Sequence, residues 1–129
     1  MLGMRTLVAV LCVMTFGVAR AFPAGTTVKE YQATLTLDAS AAKILKLYVA
    51  GMGEGVFWAN VFSASEKKKP LYCQPENLKV SGDDYVTILN SEIETQSTRI
   101  TAAELQAMPI GQVLVMGLER TFPCLPKGK

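Results

Sequence analysis

The sequence contains no histidine. That removes the most frequent general base and the most frequent metal ligand, and it leaves no Ser–His or Cys–His nucleophile pair. Cysteine is scarce, with three residues, and tryptophan occurs once. An excess of one charge is missing as well. The formal net charge is +2, and Arg5 and Arg20 near the N-terminus account for it. Residues 22–129 carry 11 basic and 11 acidic side chains, a balance that gives no support to nucleic-acid binding or to another polyanionic partner. No cysteine or carboxylate cluster has metal-ligand spacing, so no metal or other cofactor is expected. The apolar run Leu7–Val18 has twelve residues. At ~1.5 Å per residue it reaches about 18 Å, well short of the ~30 Å of a bilayer core.

What that run does fit is a secretory signal. Met1–Arg5 is a short positive start, and Ala19-Arg20-Ala21 gives the small-x-small pattern of a cleavage site ending at Ala21. No stable membrane span remains after cleavage. Cys12 leaves with the signal, and Cys73 and Cys124 remain. An even count in an exported chain points to a disulfide. The bond closes a loop of about 50 residues and contributes ~4 kcal/mol in the chain-entropy picture, against a typical total stability of ~5–15 kcal/mol.

The rest reads as helix. Residues 22–37 form an N-terminal arm, open to reading as a short strand, an extended segment or a frayed helical lead-in. Asp38 is placed to cap a long helix from Ala39 to about Ser63. Apolar residues at threes and fours, widened by Leu45, Leu47, Val49, Val56, Phe57 and Trp58, predict a helix covered on most sides at the centre of the fold. Gly51, Gly53 and Gly55 lie inside it. No strand–turn–helix context makes them a phosphate loop, so close backbone packing on the Gly51/Gly55 face is expected, or a kink near Gly53. The polar run from Ser63 to Pro70 is a loop that includes Lys67, Lys68 and Lys69. Leu71-Tyr72-Cys73-Gln74-Pro75 follows. Ser81 or Asp83 caps an amphipathic helix that ends near Gln96. Thr101 and Glu104 form a capping box, and Pro109 kinks or restarts the last helix. The tail 125–129 reads as loose.

The acidic residues do not assemble a catalytic pair. Asp83 and Asp84 suit a helix N-terminus, and Glu92 and Glu94 do not share a helix face. Glu54, the one acid inside a largely apolar helix, is a candidate for contact with a ligand or partner. A non-enzymatic role is the expectation.

Several landmarks together resemble the Rap/Tai immunity proteins of Gram-negative bacteria. They are the segment Leu47-Tyr48-Val49-Ala50-Gly51-Met52-Gly53-Glu54-Gly55, the Tyr72-Cys73-Gln74-Pro75 turn, a long amphipathic helix, and Phe122-Pro123-Cys124 at the end of the last helix. The resemblance spans residues 40–124. It implies a helical periplasmic protein, often a homodimer, that binds and blocks a peptidoglycan amidase delivered by a type VI secretion system. It also implies a disulfide between Cys73 and Cys124. The residues that plug the amidase differ among family members, so none is carried across. The Lys67–Lys69 loop and the Pro109 break stand outside the resemblance. A rigid protruding surface suffices to exclude substrate from a cleft, and Lys67, Lys68 and Lys69 are the candidate contacts. The expected architecture is all-α, a small bundle of three to four helices over residues 38–124 with one disulfide. The alternative role is a small periplasmic binding or chaperone-like module of the acid-stress type.

Overall fold

Helices begin where the sequence supplies a cap. The computed structural model describes residues 25–125, so the expected signal segment and the expected cleavage site at Ala21 lie outside the described residues, as does most of the tail. Helix α1 (Val28–Leu35) opens with a capping box between Thr27 and Glu30. Helix α2 (Ala39–Ser65) opens with Asp38, whose carboxylate accepts from the Ala41 N–H at 2.8 Å. Helix α3 (Gly82–Ser97) and helix α4 (Ala102–Ala107) open with capping boxes built by Ser81 with Asp84 and by Thr101 with Glu104. Helix α5 (Ile110–Thr121) restarts directly after Pro109. Each box satisfies backbone N–H groups that the helix itself leaves without acceptors.

Among the described residues the fold is all-α with one disulfide, Cys73–Cys124. The described residues hold five helices rather than three or four. One addition arises because Pro109 splits the last segment into α4 and α5. The other is α1, in the stretch expected to be an arm before the domain. That stretch is part of the domain. Val28 and Tyr31 are fully buried, and the Tyr31 hydroxyl donates to Asn90 of α3 at 2.9 Å. Its entry is pinned by a single antiparallel bridge. The Val28 N–H donates to Met108 O, and the Ile110 N–H donates to Thr26 O, both at 2.9 Å. These bonds occupy backbone groups on either side of Pro109, where a continuous helix would otherwise have used them.

Helix α3 is the packed centre. It lies against both α2 and α5, with Tyr85, Leu89 and Ile93 buried. At Gly117 of α5, an added Cβ would meet Ile88 of α3 at 2.8 Å, so the two backbones are close there. The expectation that α2 would be covered on most sides is not met. Leu45, Val49, Gly53 and Asn60 face inward. Ile44, Trp58 and Phe62 on the other side are 68%, 56% and 64% exposed. Spacings of four and seven along α2 give a narrow buried stripe. The glycines divide the same way. A Cβ on Gly53 would lie 2.4 Å from the Tyr85 ring, whereas a Cβ on Gly51 or Gly55 would meet nothing within 4 Å. Close packing is therefore found at Gly53, not on the Gly51/Gly55 face, and the helix runs unbroken through all three.

One charge is sealed into this centre. Glu92 of α3 is 1% exposed and accepts from Arg120 Nε at 2.7 Å, Arg120 Nη2 at 3.0 Å and Gln96 Nε2 at 2.6 Å. The Arg120 hydrogen bonds hold its carboxyl below the ordinary value of 4.5, against the upward push of burial. The charged donors and Gln96 replace lost hydration.

Two expectations follow. Gly53→Ala should destabilise the fold by ~1–3 kcal/mol through overpacking against Tyr85. Gly51→Ala should be neutral or stabilising by up to ~1 kcal/mol through helix propensity. Denaturant titration checks both, and equal effects at the two positions would contradict the assigned rotation of α2. The second concerns acid. Because the folded carboxyl of Glu92 titrates below the unfolded one, its contribution is complete above pH ~4.5 and is lost as pH falls through the lowered value. Glu92→Gln should cost about 1–2 kcal/mol at neutral pH, less than a fully buried pair because Arg120 is 44% exposed. It should also flatten the loss of melting temperature between pH ~5 and ~3.

Candidate functional site

The segment after α2 is held at three points. Asn60, buried on α2, donates from Nδ2 to Tyr72 O at 2.8 Å and accepts the Leu71 N–H on Oδ1 at 2.7 Å. A side-chain amide can make both bonds because it carries a donor and an acceptor side by side. One residue further on, the Cys73 N–H donates to Phe122 O at 2.8 Å. The disulfide to Cys124 completes the attachment, with the two Cα atoms 4.8 Å apart. Tyr72 fills the space beneath, its ring 6.2 Å from that of Phe122. The Tyr72 hydroxyl is buried with no hydrogen-bond partner. Burial first, and the neighbouring Tyr85 second, push its pKa up to about 12, so it stays protonated.

The three lysines lie at the C-terminal end of α2, just before this clamp. The Lys67 N–H donates to Ala64 O at 3.1 Å, and the Lys68 N–H donates to Ser63 O at 3.0 Å. That pair of bonds is a Schellman closure, which places its turning residue in the left-handed region. Lys67 occupies that position with φ of 59°. Glycine is the usual occupant, since a Cβ there is strained by ~1–2 kcal/mol. Lys68 pairs with Glu66 at 2.6 Å, with both side chains largely exposed. Lys67 and Lys69 are exposed and have no salt bridge among the described residues.

Two open clefts flank the segment from Gln74 to Leu78. One, of about 470 Å³, runs along Phe57, Asn60, Tyr72, Cys73 and Pro75. The other, of about 450 Å³, is bordered by Glu54, Trp58, Lys79 and Tyr85. Glu54 is thus exposed at the edge of a cleft rather than buried in the core. Between them, Gln74 donates from Nε2 to Leu78 O at 2.7 Å, and its Oε1 is buried without a partner. The arrangement offers apolar walls and a carboxylate at the edge of one cleft. Those features suit binding a side chain or peptide segment. Among the described residues, no group of three or more His, Cys, Asp or Glu could hold a metal ion, and no helix is long and apolar enough to cross a membrane.

The disulfide pair and the lysine run therefore fall at one end of the molecule. Asp83 and Asp84 lie in the first turn of α3, with Asp84 in its capping box. Asn60 was not singled out from the sequence. Its signal was a lone amide seven residues after Gly53, on what becomes the same face. Comparisons with protein-family models, with curated proteins and with solved structures found no match to this chain. The Rap/Tai resemblance stands on the quoted motifs.

Two measurements test the clamp. Lys67→Gly should raise stability by ~1 kcal/mol by relieving the left-handed strain, read by urea denaturation. No gain would mean the turn is not left-handed in solution. Cys73 and Cys124 should give no titratable thiol under denaturing, non-reducing conditions. The Cys73→Ser/Cys124→Ser variant should lose ~4 kcal/mol.

Proposed function

We propose that this chain is an exported, periplasmic immunity protein of the Rap/Tai type. It binds and blocks a peptidoglycan amidase delivered by a type VI secretion system, and it has no catalytic role of its own. The observation that supports this reading is the strained basic turn at Lys67–Lys69 beside a loop fixed by Asn60, Phe122 and the disulfide. Strain at an exposed residue tends to persist where function holds it. A preordered protrusion loses little entropy on entering a partner's cleft. The contacts assigned to the amidase are Lys67, Lys68 and Lys69.

The test is co-purification with a small secreted Cys–His amidase encoded next to this gene. A complex at micromolar concentration with loss of amidase activity is the expected result. Replacing the three lysines with alanine should weaken it about tenfold or more. Absence of any complex, or unchanged affinity in the triple variant, counts against the reading.

A second reading is a client-holding module of the acid-stress type, and the exposed apolar side of α2 is what favours it. Acid also loosens the fold in the required direction. Glu30, Asp84 and Glu104 have carboxyls lowered by hydrogen bonds from Thr27, Ser81 and Thr101, and Glu92 is lowered by Arg120. Suppression of client aggregation near pH ~3 but not at neutrality would select this reading.

A further inference from the structure

The cleft of about 450 Å³ between α2 and the segment ahead of α3 brings two kinds of side chain together. Three are aromatic. Phe57 and Trp58 come from α2, with ring centroids 5.4 Å apart and planes inclined at 72°, and Tyr85 comes from the first turn of α3. Trp58 is exposed, so much of its indole is open to solvent. Two are carboxylates, Glu54 from α2 and Glu76 from the clamped segment. Both are exposed, and neither is in a salt bridge among the described residues. Glu54 precedes Trp58 by one helical turn, which makes the two neighbours on the surface of α2. Its charge is also felt at the Tyr85 hydroxyl, whose pKa is raised first by burial and then by Glu54. Leu78 and Val80 supply aliphatic wall, and Lys79 is the one cation on the border.

Aromatic faces carry negative potential and carboxylates a full negative charge, so both select a cation. A compact ammonium satisfies carboxylates but holds its hydration and stacks poorly. A guanidinium does both, since its plane stacks on an indole while its N–H edge forks onto carboxylate oxygens. Its methylene stem needs apolar wall, which Leu78 and Val80 provide. We propose that this cleft binds an arginine side chain presented by a protein partner, with the guanidinium against Trp58 and donating to Glu54 and Glu76. Lys79 opposes the bound charge and keeps the affinity for a lone side chain low, so the cleft serves as one anchor within a larger interface. The inference does not depend on the proposed function, because Lys67, Lys68 and Lys69 do not border this cleft and the probe that tests it is not an amidase.

Trp58 is the sole tryptophan of the chain, so its fluorescence reports on this cleft directly. Titration with N-acetyl-arginine amide at matched ionic strength should change the emission saturably, with a Kd in the low millimolar range. N-acetyl-citrulline amide, which keeps the shape and loses the charge, should give no saturable change. N-acetyl-lysine amide should bind about threefold or more weaker. Glu54→Gln and Glu76→Gln should each weaken the arginine probe about threefold, the double variant about tenfold, and Lys79→Ala should tighten it about twofold. These positions are exposed, and an unchanged melting temperature checks that each variant is folded. The proposal is overturned by no saturation at about 50 mM arginine probe, by an equal response to the citrulline probe, or by unchanged affinity in the double variant. Emission that shifts with protein concentration alone, without probe, would overturn it too and assign the indole to a contact between copies.

Discussion

The Tyr85 ring lies against bare backbone at Gly53, and the rotation of α2 follows from that contact. With Gly53 turned inward, residues a multiple of four or seven away turn inward with it. Leu45 and Val49 enter the core, and Asn60 arrives facing the chain that leaves the helix. Ile44, Trp58 and Phe62, equally apolar, are carried outward. A Cβ at position 53 is incompatible with this seating of α3, so a missing side chain orients the longest helix.

The clamp around Cys73 inherits its geometry from the same rotation. Asn60 reaches Leu71 and Tyr72 because it shares a face with Gly53. Phe122 and Cys124 reach Cys73 because α5 packs on α3 closely enough that Gly117 admits no side chain. The disulfide thus joins two ends already brought together by helix packing. Its loop closure acts mainly on the unfolded chain, while the native position of the Lys67–Lys69 turn is set by Asn60 and the α2 terminus.

The buried charge at the centre is satisfied directionally. Glu92 has two charged hydrogen bonds and one amide hydrogen bond. The three capping boxes use the same pattern at the surface, with a carboxylate reaching back to the helix start. All four carboxyls are shifted in one direction, which makes protonation the common route to a looser fold.

The starts of α2, α3 and α4 were legible from sequence because capping is a contact between residues three apart. Thr101 with Glu104, Asp38 and Ser81 each announce a boundary within one turn, and Pro109 announces a restart. The Cys73–Cys124 pairing was legible by elimination once Cys12 was assigned to the signal. The outward turn of Ile44, Trp58 and Phe62 was not legible, because α2 is apolar on more than one side and periodicity cannot choose between sides. The same holds for the place of α1 in the core, whose burial depends on a bridge to Met108 and Ile110 some eighty residues away. The Glu92–Arg120 pair had a weak signal, an acid in register with Tyr85 and Leu89. Local chemistry determined where most of the helices begin. Tertiary packing decided which face of each helix meets another, since that choice rests on the fit between surfaces distant in sequence.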